Sequence, residues 1–341
     1  MRQISKLGAT VGIAPKGDHA KETDKRLHRQ SAELERAVAE LEKLRRDICD
    51  GLDWRARLVL PLVPLAVIVL FIVFYGWSAP FLELPRLILL SAISTVVAWL
   101  LLQYRPSKIY RQTMRAIIGR SVAIALLDFT HNPEPSISKD KLRRWPLFPH
   151  VSAVEGIDLF KGQRGGHNVA ICRLNINYHY KAQQRRESHR KSNLHAICIK
   201  LDSNLLGTAT AVLLPGMIDN RIHKAITGKH GLTRAPLMQD FENLFAAYGA
   251  SGGNFARRLE QLNTDALQEL GQRERVILVF HDAQTIALFP QDSDIFVPFA
   301  PLSYWQKINT QELLWKISRD LAQMEDRLNM VLSLQTLHPG N

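Results

Sequence analysis

Residues 58–77 read "LVLPLVPLAVIVLFIVFYGW" and carry no charged side chain. At about 1.5 Å per residue, a helix of that length covers the roughly 30 Å of a bilayer's hydrocarbon core. Pro61 and Pro64 fall in its first turns, where a missing backbone donor costs least. A second uncharged run, "LILLSAISTVVAWLLLQY", covers residues 87–104. Trp77, Trp99 and Tyr104 stand near the run ends, where amphipathic rings favour the membrane interface. The first run starts too far from Met1, and is too long, for the h-region of a signal peptide, and no small-residue cleavage site follows it. Burial of both runs in a soluble core is disfavoured by their uncharged length. The expectation is a two-helix transmembrane hairpin, 58–77 and 87–104, joined by a short external loop at 78–86.

Orientation follows from the flanking cations. Lys43, Arg45, Arg46, Arg55 and Arg57 precede the first run, and Arg105, Lys108, Arg111, Arg115 and Arg120 follow the second. The loop between them, "SAPFLELPR", holds only Glu83 and Arg86. The cation bias places both termini in the cytoplasm. Ser91 and Thr95, and Ser94 and Ala98, have the small-xxx-small spacing that lets helices approach closely, with the partner helix left open.

The chain has 341 residues, a net charge of +12 and a mean hydropathy of −0.10. That average conceals two apolar blocks set against charged remainders. Most of the positive excess lies between Arg105 and Lys307. It fits the cytoplasmic bias and solubility, or more specifically attraction to anionic lipid headgroups or nucleic acid. Cys49, Cys172 and Cys198 are far apart in sequence and form no C-x-x-C, so neither a disulfide framework nor a zinc ribbon is indicated.

Residues 1–22 lack periodicity and read as a disordered N-terminus. Residues 23–57 repeat every seven positions, with Leu34 and Leu41 at d and Val38 at a, as an amphipathic or coiled-coil helix. At the far end, 309–336 forms a similar seam through Leu314, Ile317, Leu321, Met324 and Leu328. Both arms belong on the cytoplasmic side. They are free to pair with one another, to self-associate, or to pack on the globular domain, the usual fate of an amphipathic helix.

Between the arms, 105–149 reads as a helical connector, helical to about Phe129, and a linker. Residues 150–308 read as a largely antiparallel α+β domain. "AVEGIDLFKG" and "HNVAICRLNINYHYK" alternate as strands around the turn "GQRGG"; "LHAICIKLD" and "GTATAVLLP" follow. "ENLFAAYG" reads as a helix end or a strand, "NFARRLEQLNTDALQELGQ" as helix, and "RVILVFHDAQTIALFP" as a hairpin across "HDAQ".

"YGASGGN", 248–254, contains G-x-S-x-G at Gly249, Ser251 and Gly253. A nucleophile elbow needs a parallel sheet, an acid and a later histidine. The surrounding hairpins argue instead for a glycine turn capped by Asn254. "GQRGGH" lacks the Lys-Ser/Thr of a P-loop. The histidines form no H-x-x-x-H or H-E-x-x-H pair, so no metal, cofactor or catalytic residue is assigned. An enzymatic site would have to be assembled in three dimensions, with His281 and Asp282 as the place to look. The loop "KAQQRRESHRKSN" gathers Lys181, Arg185, Arg186, Arg190 and Lys191 against Glu187 alone, and anionic lipid headgroups are its natural specific partner. No aromatics interleave with those cations, which argues against nucleic acid.

The order of these segments resembles a bacterial family of two-span membrane proteins, the domain-of-unknown-function family 3137. "AVEGIDLFKG", "HAICIKLDSNLLGTATAVLLP" and "DFENLFAAYGASGGNFARRLEQLNTDALQELGQRERVILVFHDAQTIAL" carry the resemblance. Asp240, Phe241, Glu242, Phe245, Tyr248, Ala256 and Arg257 occupy corresponding places. The sequence departs from the family where "LLG" stands in place of an aromatic before the glycine, and in the basic loop. The resemblance implies an inner-membrane location, two spans and a cytoplasmic α+β domain, but no activity. The functional expectation is a non-enzymatic scaffold or regulator that presents its cytoplasmic domain to a protein partner or to further copies of itself. Sensing of anionic lipid through 181–191 is the alternative, and an enzyme with an unrecognised site a further one.

Overall fold

The computed structural model of the chain describes residues 18–75, 84–126, 129–133, 137–148, 150–179, 191–207, 209–216, 220–235, 239–250, 258–259, 262–291 and 308–335. Two long helices dominate: α1, Asp18–Tyr75, and α2, Leu84–Ala125. The arm read as 23–57 and the run read as 58–77, as far as Tyr75, are thus one unbroken helix, which begins inside the segment read as disordered. Pro61 and Pro64 consequently lie in a helix interior rather than in first turns, and leave the carbonyls of Arg57 and Leu60 without their i+4 donors. Pro106 does the same within α2.

The two helices pack side by side. Glu40 of α1 meets Arg120 of α2 at 3.5 Å, while Arg45 and Cys49 lie beside Tyr110. The partner number falls as the α1 number rises, so the helices run antiparallel. Ser91, Ser94, Thr95 and Ala98 are half-buried on the side of α2 turned to α1, and their small side chains permit the close approach. The Ser94 hydroxyl donates to Leu90 O and that of Thr95 to Ser91 O, at 2.7 and 2.8 Å. Neither hydroxyl needs a partner outside its own helix.

Along the uncharged runs, large apolar side chains face outward. Leu62, Leu65, Val69 and Val73 on α1, and Ile88, Ile93, Val97 and Leu101 on α2, are all exposed. Elsewhere among the described residues only Trp54, Ile109, Ile124 and Trp315 are large, apolar and exposed. Just 11% of the most apolar stretch of α1, and 6% of that of α2, is buried. Core helices of a soluble domain do not show that pattern, whereas helices long and apolar enough to cross a membrane do.

The rest of the described chain is α+β. Among the described residues nine strands form one sheet, in which every pairing is antiparallel: β1 Thr130–Asn132, β2 His150–Arg164, β3 His167–His179, β4 Lys191–Leu201, β5 Ala211–Pro215, β6 Leu232–Ala235, β7 Phe245–Ala250, β8 Ile277–His281 and β9 Gln284–Pro290. The order across the sheet is β1-β2-β3-β4-β9-β8-β5-β7-β6. The "GQRGG" segment makes the β2–β3 turn, closed by the Arg164–His167 pair with Gly165 and Gly166 at φ +56° and +79°. Those left-handed angles match the twist of a tight hairpin. "ENLFAAYG" resolves into the strand β7.

Both sheet faces are covered, and the central strands alternate between them. Ile197, Ile199, Leu213, Leu278, Phe280 and Phe289 enter a core with α1, α2, Phe241 of α5 (Gln239–Glu242), α6 (Thr264–Arg273) and α7 (Thr310–Ser333). Ala196, Cys198, Val212, Val279 and Leu288 face a second core closed by the short α3 (Lys139–Arg144), by Trp145, Leu147 and Phe148, and by Ile222 of α4 (Asn220–Lys224) and Ile226. Two-sided burial explains why these strands read as unbroken apolar runs instead of alternating ones. The domain is also larger than 150–308: β1 pairs with β2 upstream, and α7 lies within the first core.

Candidate functional site: the junction of the long helices with the sheet

Polar side chains concentrate where α1 and α2 leave their apolar stretches and enter the domain. Glu42 on α1 accepts hydrogen bonds from Arg45 Nε and Nη2, both at 2.8 Å, and from Arg46 Nε at 3.2 Å. It also accepts one from the backbone N–H of Ile308, immediately before α7. Arg45 Nη1 reaches Cys49 Sγ at 3.8 Å. The bonds from Arg45 outweigh the cost of burial and hold the Glu42 carboxyl at about 2, against an ordinary 4.5. Burial pushes the Cys49 thiol and the Tyr110 phenol up. One carboxylate therefore ties the entry of α7 to α1 beside α2.

Because its folded pKa is depressed, Glu42 contributes stability above its unfolded value near 4.5, and that contribution is lost as pH falls toward 2. Glu42→Gln should accordingly cost on the order of 2 kcal/mol at neutral pH. Thermal unfolding in detergent should show the gap from wild type closing between pH 4.5 and 2; an unchanged gap there would remove Glu42 from this role.

The second tie joins α2 to the sheet. His131 of β1 places Nε2 at 3.2 Å from Asp158 Oδ1, with the two side chains 4% and 3% exposed. The imidazole ring stacks on Phe160 at 4.9 Å and lies directly over Gly119 of α2. Asp158 sits in a bulge of β2 between Ile157 and Phe160, with φ at +56°. Its Oδ2 is buried with no hydrogen-bond partner. A strained, half-satisfied carboxylate in the fold interior is a local cost kept at a helix–sheet joint.

The residues expected to mediate helix pairing meet inside this one chain. Leu34, Val38, Leu41, Ile317, Leu321, Met324 and Leu328 are buried, with Leu314 half-buried, and α1 touches α7. Of the basic loop, Lys181, Arg185, Arg186 and Arg190 lie outside the described residues, and Lys191 opens β4 opposite His179. Gly249 lies inside β7, paired with Ala211 and Thr233, while Ser251 and Gly253 are outside the described residues. His281 and Asp282 form the β8–β9 turn, with Asp282 at φ +52° and its side chain 77% exposed. A carboxylate so hydrated is a turn residue rather than half of an acid–base couple.

One constellation escapes sequence reading because its members are far apart in the chain. Ser203 Oγ lies 2.9 Å from His167 Nδ1, and His167 Nε2 lies 2.6 Å from Gln335 Oε1. The polarity would suit a histidine that activates a serine. Nearby amides, however, are committed: Leu205 N to Thr285 Oγ1, Leu206 N to Asn204 Oδ1, and Gly207 N to Asn204 O. Those three amides are therefore not offered to an oxyanion, and the chain of bonds acts as a latch from the end of α7 to the sheet. Cys172 and Cys198 face each other across β3 and β4, both buried, and the hydrogen bond with the Cys172 thiol, with burial added to it, raises the Cys198 thiol well above its ordinary range. Such thiols are unreactive. Among the described residues no group of three or more metal-ligating side chains converges.

No family model, no curated protein and no solved structure matches this chain. The fold and the junction nevertheless define a class: an antiparallel α+β module built onto two long helices, each apolar enough to cross a membrane.

Proposed function

We propose that the chain is an integral protein of the bacterial inner membrane, with two spans, both termini cytoplasmic, and a sheet module that serves protein partners as a non-enzymatic scaffold or regulator. The observation that carries this reading is the continuity of α1 and α2. Neither helix stops at the end of its apolar run; both continue into the domain and build its first core. A partner that shifts the junction must therefore also shift the spans, and the reverse holds by linkage. Trp315 supports a partner surface: it is 53% exposed on α7 with the Arg319 guanidinium 5.1 Å over its ring, and such Trp and Arg pairs are favoured anchors of interfaces. The cation bias at the ends of the runs supports the orientation. Kinship with the domain-of-unknown-function family 3137 belongs to the same proposal and rests on the sequence segments quoted above alone.

The topology is tested by alkaline carbonate extraction and by a reporter fused after Asn341. Retention in the membrane and activity of a cytoplasm-dependent reporter are expected; a chain that washes off overturns the reading. The partner surface is tested by a photo-cross-linker at position 315 in cells. A discrete adduct that disappears in Arg319→Ala is expected, and its absence removes Trp315 from the proposal.

A further inference from the structure

We propose that Lys108, Arg111 and Arg115 of α2, with Arg55 and Arg57 of α1, form a docking collar for the headgroups of anionic phospholipids. The inference rests on the membrane-spanning reading above, and it places lipid recognition on the helices rather than in the 181–191 loop.

Antiparallel pairing sets Glu40 beside Arg120 and Arg45 beside Tyr110. Continuing down both helices brings Trp54 to within about one turn of the level of Tyr104. Both aromatics are exposed, at 65% and 68%, and they mark a common boundary at the end of the apolar stretches.

Tyr104, Lys108, Arg111 and Arg115 are spaced four, three and four apart, so they share one stripe of α2. The three cations stand about 6, 10 and 16 Å beyond Tyr104 along the axis. Helical side chains lean toward the N-terminus of their helix, and for α2 that direction is the apolar run. Lys108 and Arg111 thus reach down to headgroup depth, and Arg115 follows one turn above.

Arg36, Arg45, Arg46 and Arg120, farther from the boundary on the same two helices, each hold a glutamate. Among the described residues no carboxylate, Asp50 and Asp53 of α1 included, forms an ion pair with Arg55, Arg57, Lys108, Arg111 or Arg115. These cations are left for an external anion, and their position at the end of the spans makes a lipid phosphate that anion.

The test uses the full chain purified in detergent, titrated with short-chain phosphatidylglycerol or phosphatidylcholine. Wild type is expected to prefer the glycerol lipid, and the preference should fall at least about tenfold in K108Q/R111Q/R115Q. It should be unchanged in R185Q/R186Q/R190Q. Among the described residues these side chains make no ion pair or side-chain hydrogen bond, so Tm should stay the same. No preference in wild type, an undiminished one in the collar variant, or a loss confined to the loop variant would each overturn the assignment. Equal competition by inorganic phosphate would overturn a lipid as the source of the anion. Carbonate extraction of the same variant is read separately: a failure of the spanning reading appears there, whereas a failure of the collar appears only in the titration.

Discussion

Gly119→Ala is expected to disrupt the joint between α2 and the sheet. A Cβ at position 119 would overlap the His131 imidazole, which lies directly against the helix backbone. The ring has nowhere to retreat. It is 4% exposed, stacked on Phe160, and hydrogen-bonded to an Asp158 that is itself fixed in a bulge. Overpacking of this kind costs about 1–3 kcal/mol, and loss of the buried His–Asp contact adds to it, so about 3 kcal/mol or more is expected. Thermal unfolding of the full chain in detergent should show a large fall in Tm. His131→Ala by itself should also destabilise, because it leaves Asp158 buried without a partner. The double variant should nonetheless be more stable than the sum of the two losses, since removing the ring opens room for the new methyl. Strict additivity would show that the two residues do not collide.

The second large effect concerns Arg327 on α7. Its guanidinium donates to Glu274 at 3.1 and 2.9 Å and lies 5.1 Å over the Phe289 ring, while Nη1 is buried without a partner. The Arg327 side chain is 7% exposed and that of Glu274 is 26% exposed. The two deletions are therefore unequal. Glu274→Ala strands a buried cation and should cost about 3 kcal/mol, at the lower end for a broken buried pair because some water can enter. Arg327→Met fills the same space above Phe289 and releases Glu274 to water, so its cost should be about 1 kcal/mol or less. Chemical denaturation of the two variants checks the ordering. Equal losses would mean that Arg327 is more hydrated than its burial indicates.

Periodicity made much of this fold legible. The uncharged runs, the heptad seams at both ends, the β2–β3 hairpin around its glycines and the β8–β9 hairpin around "HDAQ" are all local patterns, and local physics suffices for them. Boundaries were harder. Nothing in the sequence marks a helix end between Arg57 and Leu58, and two prolines stand just beyond; a break there was a fair expectation. In the structure the helix continues through, because its packing against α2 outweighs two lost hydrogen bonds. β1 and β6, three and four residues long, carry too little pattern to be seen without the strands they pair with.

The site was less legible than the fold for the same reason. His131 and Asp158 are 27 residues apart, and His167 and Gln335 are 168 apart. No spacing rule links such pairs, since sheet register and the return of α7 bring them together. The signal that was present lay elsewhere: Gly119 in an otherwise regular helix asks for a neighbour that needs its missing side chain.

What the sequence by itself determined is therefore everything a short window can hold: the apolar runs, the amphipathic seams, the turn chemistry and the sign of the charge at each boundary. Only the tertiary structure decided where those seams went. The arms were as compatible with pairing between molecules as with docking, because an apolar stripe states that a surface must be covered but not by what. Folding the chain back placed the α1 and α7 stripes in the core beneath the sheet. It also left Lys108, Arg111 and Arg115, just beyond the apolar run within α2, without an ion pair among the described residues, a distinction between equal charges that comes from which carboxylates are within reach.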